Sequence, residues 1–554
     1  MNIRIGTRGS DLALWQARFV ARALTAHGHA CELVILKTRG DTIEDVPLTQ
    51  VEGKAFFTAE IEGALLAGTV DLAVHSHKDL PTQSPAGLCI AAIPARASSA
   101  ERLLVRESAL EAQGAFLPLP RGARVGTSAP RRTAQVRALR PDLQLLDLRG
   151  NVPTRVQRLR EGRFDAILLA EAGLERLQLD LGDLAVFRLP QAWFVPAPAQ
   201  GALAVQAREG DQALISLVRG ILHDDAAEKS VAAERALLLR AGGGCNLPLG
   251  AALETGPLGF AAHVFLGEGC LSTKAPSRWL CASGSSAQQA IDRAWQALTC
   301  GGGARSGPLA GLGVALTGSG QECSTLAQRL ETLGADVKLE PVLEFERIDA
   351  PQWAGNVDRL RAGDWVAVTS RFAASLLVDC VLPRGVKVAA VGKSTAMALL
   401  ERGLKPDVVG ASGARALAQS VTLQHDARVL FPCAVGARDE LEREFRGRGH
   451  EVVRCELYRA APVDRVELCK DVQVRVYTSP SAVAAALHWE RAQGDNRLGA
   501  TERVPLGPTT AAALSQAGLA ACAIVWPADG SGEDLIEALL RHFARRLPAL
   551  ERIR

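Results

Sequence analysis

The chain has 554 residues, 48% hydrophobic and 22% charged, which suits about three to five packed domains of an ordinary soluble protein. Its net charge of +3 gives no whole-chain reason to expect nucleic acid. No uncharged apolar run reaches about 18 residues, and the start, "MNIRIGTRGSDLALWQ", has no secretory core, so no membrane span is expected and the chain reads as cytoplasmic.

Short apolar runs alternate with alanine- and leucine-rich helical segments, the α/β pattern with a largely parallel sheet. In chain order the first strands read "NIRIG", "CELVILK", "VDLAVH", "ARVGT", "LQLLDL" and "FDAILLA". Polar turns follow five of them. "NIRIG" leads to Thr7-Arg8-Gly9-Ser10 and "VDLAVH" to Ser76-His77-Lys78-Asp79. "ARVG" leads to Thr127-Ser128-Ala129-Pro130-Arg131-Arg132, and "LQLLDL" to Arg149, Asn151, Thr154 and Arg155. The helix after "ILLA" carries Arg176. One such turn is usually a capped helix. Five on one sheet edge crowd cations into a cleft that self-repels until a polyanion arrives. No GxxxxGK[ST] is present here, so many carboxylates fit better than a nucleotide. Asp79 is the odd member: either a salt-bridge partner, or a group that shuttles protons and holds a developing cation. His75 and His77 point the same way from one strand, but no third ligand is evident and no metal is expected.

Twelve cysteines are scattered without CxxC or paired Cys/His spacings, so they read as mostly reduced and buried. Cys245 differs. In "RALLLRAGGGCNLPLG" a helical run stops at three glycines and the thiol sits on the resulting tight turn, which argues against a buried small hydrophobe. "CGGGARSGPLAG" (300–311) then reads as a linker. Beyond it, four segments recur in the same order at a period of about 110 residues. "VALTGSGQECSTLAQRLETLGADVKLEPVLEF" matches "VLFPCAVGARDELEREFRGRGHEVVRCELYRA", and "VAAVGKSTAMALLERGL" matches "RVPLGPTTAAALSQAGL". Two similar α/β lobes enclosing a cleft are expected.

Arg8 with "LALWQA", then "HSHKDLP", "VGTSAPRR", "LRGNVPTR", "ILLAEAGLERL", "PAQGALAVQ" and "GGGCNLPLGA", occur in that order and resemble porphobilinogen deaminase, also called hydroxymethylbilane synthase, over about residues 1–300. The resemblance implies a dipyrromethane cofactor joined by a thioether to Cys245. It implies cofactor contacts from Ser76, Lys78, Thr127, Ser128, Arg131, Arg132 and Arg149, and substrate contacts from Arg8, Ser10, Gln16, Lys54, Arg149, Arg155 and Arg176. It makes Asp79, with Lys78, the catalytic pair for four rounds of ammonia loss and coupling. The fold implied is a periplasmic-binding-protein-like, two-lobed α/β deaminase with a small α+β cofactor domain. The boundaries are 1–94 and 191–218 for domain 1, 95–190 for domain 2 and 219–299 for domain 3. The mobile loop normally reads Gly-Lys-Gly-Leu-Phe; here it is Gly53-Lys54-Ala55-Phe56-Phe57, a stiffer version.

About residues 308–548 are similar to uroporphyrinogen-III synthase, through the repeat, "GPTTAAAL" and the tyrosine of "CELYRAAP". This implies a two-lobed α/β synthase unit, with lobe 1 at 312–345 and 463–548 and lobe 2 at 346–462. Tyr458 matches the family's tyrosine near the cleft. Ser370, Thr395, Ser479, Thr509 and Thr510 lie in strand-to-helix turns, where N-capping and propionate binding compete. "LTGSGQE" lacks the arginine often found after that strand in the family and receives no role. The partners implied are porphobilinogen and hydroxymethylbilane, acting on a monomer with no nucleic acid and no membrane. A two-lobed anion sensor is the rival for the first half, and Cys245 and Asp79 speak against it. A non-catalytic scaffold is the rival for the second half.

Overall fold

In the computed structural model the described residues are all those outside 39–57, 112–116, 244–246, 257–258, 269, 271–276, 301–303, 306, 378–380, 411–413, 425, 465, 467, 470, 494–500, 520–534, 537–538, 541–550 and 554. They fall into two units. The first holds Met1–Gly311, Glu331–Ala335 and Leu540–Arg554; the second holds Leu312–Leu330 and Asp336–Leu539.

The first unit is built on three sheets. Strands β1 (Asn2–Thr7), β2 (Ala30–Ile35), β3 (Leu72–Ser76), β4 (Leu88–Ala92) and β10 (Leu203–Arg208) order as β2-β1-β3-β10-β4. β1 runs parallel to β2 and β3, while β10 returns antiparallel. Helix Asp11–Ala26 buries Ala17, Val20 and Leu24 against this sheet. The second sheet holds β5 (Glu101–Arg106), β6 (Arg124–Gly126), β7 (Gln144–Leu146), β8 (Ala166–Ala170) and β9 (Leu184–Leu189). With β24 (Glu551–Ile553) on its edge, its order is β24-β9-β5-β8-β6-β7. The polar strand ends therefore divide between two sheets, β1 and β3 on one and β6, β7 and β8 on the other, which corrects the expectation of one shared edge. Two chain segments cross between these sheets. They approach so closely at Gly201 (φ +84°) that a Cβ would collide with the carbonyl oxygens of Ala97 and Ser98.

The third sheet is an antiparallel meander of β11 (Leu249–Gly256), β12 (Gly259–Leu266), β13 (Arg278–Gly284) and β14 (Ala304–Arg305). One face packs on helices Asp225–Arg240 and Ala287–Cys300, burying Leu237, Val264, Leu280 and Ile291. Part of the segment read as a linker is thus a strand, and Leu309 beyond it is buried.

Among its described residues the second unit has one nine-stranded sheet. Its strands are β15 (Gly313–Ser319), β16 (Asp336–Arg347), β17 (Trp365–Val368), β18 (Lys387–Val391), β19 (Val408–Gly410), β20 (Val429–Ala434), β21 (Val452–Pro462), β22 (Val474–Tyr477) and β23 (Glu502–Pro505), ordered β19-β18-β17-β20-β21-β16-β15-β22-β23. All pairings are parallel except β16 with β21. These two long strands each leave their own half and pair through Leu343↔Pro462 to Arg347↔Tyr458. The internal repeat is visible here: β15-helix-β16 and β20-helix-β21 are the same unit used twice. Among the described residues no helix is long and apolar enough to cross a membrane.

Candidate functional site

β3 ends at Ser76 and the chain tightens at once into a 3-10 turn, His77–Asp79. Three partners fix that turn. Gln16 Nε2 donates to Ser76 Oγ at 2.8 Å, and Lys78 Nζ donates to Gln200 Oε1 at 3.1 Å. Arg235 donates to the carbonyls of His77 at 3.1 Å, Leu80 at 3.2 Å and Pro81. Arg235 lies on helix Asp225–Arg240, the helix that leads into the glycine turn. Gly243 of that turn (φ +59°) comes so near Thr82 that a Cβ would sit 3.0 Å from its Oγ1. The helix preceding Cys245 is therefore clamped to the turn carrying Lys78 and Asp79. Cys245 itself and Lys54 lie outside the described residues, as does the 53–57 loop.

Arginines of the second sheet gather on Glu101, and Arg155 lies within electrostatic reach of the exposed Asp79. Because β5 is antiparallel to β8, its first residue Glu101 stands beside Ala170 at the edge where β8 ends. Glu101 is fully buried and accepts Arg131 Nη2 at 2.5 Å, Arg132 Nε at 3.1 Å and Arg132 Nη2 at 2.7 Å. Burial alone would raise its carboxyl, but Arg132 and Arg131 outweigh that and hold it at about 2. Arg131 also reaches Val195 O, and Arg132 reaches Leu168 O. Lys78 is pushed down to about 8 by burial, with Arg132 and Arg131 adding to the shift and Asp79 and Glu101 opposing it. Arg155 falls to about 10 through burial and Arg132, with Asp79 again opposing. Asp79 thus sits in the field of Lys78 and Arg155 together.

Around this group Arg155 Nε donates to Gly150 O at 2.7 Å, and Arg149 Nε to Asp147 at 3.1 Å. Arg176 stacks 5.5 Å over Trp15 and donates to Gly201 O at 2.7 Å. Arg8 follows β1 and its charge helps to lower His75, after burial. Ser10 caps helix Asp11–Ala26 by accepting from Ala13 N. Thr127 Oγ1 accepts from Ala129 N, and Ser128 Oγ bridges Leu148 O and Leu148 N. Burial holds His75 at about 4 and His77 at about 3, so both rings are neutral near pH 7.

In the second unit Tyr458 and Ser370 come together at the join of β16 and β21, oxygen to oxygen at 2.8 Å. Ser370 also caps helix Arg371–Ser375 through Ala373 N at 3.0 Å. The tyrosine ring packs edge-on against Phe345 and Phe372. Beside them a cleft is lined by Ser319, Phe345, Arg371, Phe372, Glu401 and Arg402, among others. Thr395 is buried in the first turn of helix Gly392–Leu400. Ser479 Oγ accepts from Ala482 N, the equivalent cap in the other half of the sheet. Thr509, exposed, and Thr510, buried, begin helix Pro508–Gln516.

Residues 3–216 match the family model described as porphobilinogen deaminase, dipyromethane cofactor binding domain. The porphobilinogen deaminase of Roseiflexus castenholzii is 47% identical over 252 residues, 45% of this chain and 80% of that protein. That of Geobacter metallireducens is 47% identical over 251 residues, 45% of this chain and 76% of that protein. The chain belongs to the porphobilinogen deaminase family. Residues 324–540 match the family model of uroporphyrinogen-III synthase HemD. A solved mutant uroporphyrinogen III synthase from Thermus thermophilus is 20% identical over 43% of this chain and 98% of its own, with a TM-score of 0.30. With both families in one chain, this is a bifunctional enzyme of tetrapyrrole biosynthesis.

The deaminase part fits its cofactor class on one further observation. Among the described residues Arg149 Nη2 is buried with no hydrogen-bond partner, a donor that a carboxylate could meet. Sequence reasoning missed several residues that build this site. Glu101 opens a strand rather than ending one, so a census of strand ends passed over it. Glu234, fully buried, holds Arg96 at 2.8 and 2.9 Å and accepts from Ala199 N and Leu253 N, tying the crossing segments to β11. Gln200 lay within "PAQGALAVQ" but carried no chemical signal of its own. Arg235 was one of many helical arginines.

Proposed function

We propose that the deaminase part joins four porphobilinogen molecules into hydroxymethylbilane, releasing ammonia, and that the synthase part closes this product to uroporphyrinogen III with inversion of the last ring. The observation that carries the first half is the turn ending β3, where Lys78 and Arg155 feel the charge of Asp79 and Lys78 that of a buried two-arginine cradle. Each pyrrole brings two carboxylates. Arg8, Arg149, Arg155 and Arg176, with Ser10, Gln16 and Lys54, would bind them. Ser76, Lys78, Thr127, Ser128, Arg131, Arg132 and Arg149 would hold dipyrromethane on Cys245. When bound, that group supplies the nucleophilic pyrrole carbon from which the chain grows. Asp79 lends a proton as ammonia leaves, faces the cation that develops on the substrate, and takes the proton released at the ring carbon. Lys78 balances its charge. Gly201 and Gln200 hold the crossing segments so that both sheets present their strand ends to one ligand.

For the synthase part we assign Tyr458 as the catalytic-cleft residue, steadied by Ser370, with Thr395, Ser479, Thr509 and Thr510 as substrate contacts from helix N-termini. The division into deaminase domains 1–94 with 191–218, 95–190 and 219–299, a linker at 300–311 and synthase lobes 312–345 with 463–548 and 346–462 belongs to this reading. So do a cytoplasmic location and a monomeric state without nucleic acid. Intact mass and isomer analysis test it. The purified chain should carry an increment of two linked pyrroles that Cys245→Ser abolishes, and its product should be the type III ring. A chain without the increment sinks the first half. A product held at the spontaneous type I composition makes the second half a scaffold.

A further inference from the structure

We propose that Arg371 and Arg402 form a carboxylate clamp in the synthase cleft, a binding site for the acidic side chains of the linear tetrapyrrole. This rests on reading the second unit as a cyclising synthase. Three observations carry it. First, both arginines line the same cleft as Phe345 and Phe372, the two rings that pack on Tyr458. Arg371 opens the short helix that Ser370 caps, and Arg402 follows helix Gly392–Leu400, so two successive strand-to-helix units of one half of the sheet each deliver one guanidinium to the cleft.

Second, neither guanidinium meets an acid among the described residues. Other arginines of this unit are neutralised: Arg428 by Glu451 at 2.8 Å, Arg454 by Glu442 at 2.9 Å, Arg475 by Glu340 at 2.8 Å. Arg371 and Arg402 have no ion pair among the described residues, and Glu401, the acid of the same cleft, pairs with neither. Two cations left unpaired in a concave, partly apolar site raise the local concentration of anions. Third, the cleft offers what an acid-bearing pyrrole needs together. Phe345 and Phe372 present apolar ring surface, and the guanidinium forks match carboxylates in bidentate geometry. A serine hydroxyl, such as Ser370 or Ser479 with its backbone N–H already accepted, offers one donor and no fork.

The test is steady-state kinetics of type III ring formation by the full chain supplied with hydroxymethylbilane. Arg371→Gln should raise KM about tenfold with kcat little changed, since a charged hydrogen bond lost on binding costs ground-state affinity. Arg402→Gln, exposed at the rim, should raise it about threefold. The wild-type KM should climb between about 50 and 500 mM salt, and the double variant should lose most of that dependence. Arg428→Gln, removing a guanidinium outside the cleft, is the control and should match wild type. Circular dichroism confirms that each variant is folded. Should Arg371→Gln unfold, Arg371→Lys keeps a charge without the fork and must still raise KM severalfold. KM values within twofold of wild type and an unaltered salt dependence would overturn the clamp. No type III product from the wild type would instead overturn the synthase reading.

Discussion

The deaminase site and the synthase cleft are both assigned to carboxylate-bearing pyrroles, and they are built in opposite ways. In the deaminase, Arg131 and Arg132 are held before any ligand arrives, by Glu101 and by the backbone oxygens of Val195 and Leu168. In the synthase cleft, Arg371 and Arg402 have no such braces among the described residues, and the fixed elements are an aromatic trio and a tyrosine–serine pair. A site that must hold a growing polyanion through repeated rounds benefits from cations whose positions are fixed in advance by internal counter-charges. A site that folds one flexible chain into a ring relies on shape and needs fewer fixed charges.

The strongest way to break this comparison is to remove Asp79, the carboxylate assigned to the chemistry. Asp79→Asn keeps shape and loses charge. Turnover of porphobilinogen should fall about 10²–10⁴-fold, while the covalent increment on the chain and ring closure of supplied hydroxymethylbilane stay intact. Near-normal turnover would reduce Asp79 to a partner of Lys78 and Arg155.

Next is the internal counter-charge. Glu101→Gln leaves two buried guanidinium groups without their carboxylate and should cost the deaminase unit about 3–5 kcal/mol, read from the urea midpoint of its transition. The pH sign follows from the depressed carboxyl. Glu101 titrates near about 2 when folded and about 4.3 when unfolded, so its contribution is present above the unfolded value and is lost as pH falls through about 2. An unchanged midpoint would mean that the cradle is not braced by this residue.

These two residues also mark how far the sequence was legible. Asp79 stood out because it follows a strand within a motif rich in cations. Glu101 did not, because antiparallel pairing brings the start of β5 to the edge where β6 and β8 end, and pairing direction is not written in local pattern. The strands themselves were readable: "NIRIG" is β1 and "FDAILLA" contains β8. The repeat foretold the two halves of the second sheet, since β15 and β20 begin equivalent units. What failed was long-range. Five strand ends were expected on one edge and lie on two sheets. A piece of the expected linker pairs as β14, and the last residues return as β24 to the deaminase sheet. Short two- and three-residue strands bury too little to leave a hydropathy signal. In the synthase cleft, hydroxyls at helix starts could not be sorted into caps and contacts from sequence, because both roles use the same residue at the same place. Ser370 and Ser479 are caps, and Ser370 meets Tyr458 besides.

A milder test sharpens the contrast through pH. Burial and two arginines hold Lys78 at about 8, so it loses its charge as pH rises through that value. A carboxylate-bearing substrate prefers the charged form, and binding should take up a proton. KM for porphobilinogen should therefore rise above about pH 8, by at most about tenfold per unit. Lys78→Arg, charged throughout, should flatten that limb. KM for hydroxymethylbilane in the synthase step should not share it, since Lys78 belongs to the deaminase unit.

The smallest effect is expected at Tyr458. Its hydroxyl is bound to Ser370 at 2.8 Å, and its ring is wedged against Phe345 and Phe372 at the crossing of β16 and β21. Tyr458→Phe keeps the ring and the packing and deletes only the oxygen. Ser370 retains its cap to Ala373 N, so its hydroxyl is not stranded. Losing the neutral hydrogen bond to Ser370 costs about 0.5–1.5 kcal/mol, or about two- to tenfold in the rate of type III formation. A bulky replacement at Thr510, buried in the first turn of its helix, should lower type III formation more by shape than Tyr458→Phe does by chemistry. The readout is the ratio of type III to type I ring after oxidation to porphyrin. If Tyr458→Phe abolished type III formation altogether, the oxygen would be acting on the reacting atoms. The synthase would then depend on a single polar group as sharply as the deaminase depends on Asp79, and the contrast between shape and charge would fail.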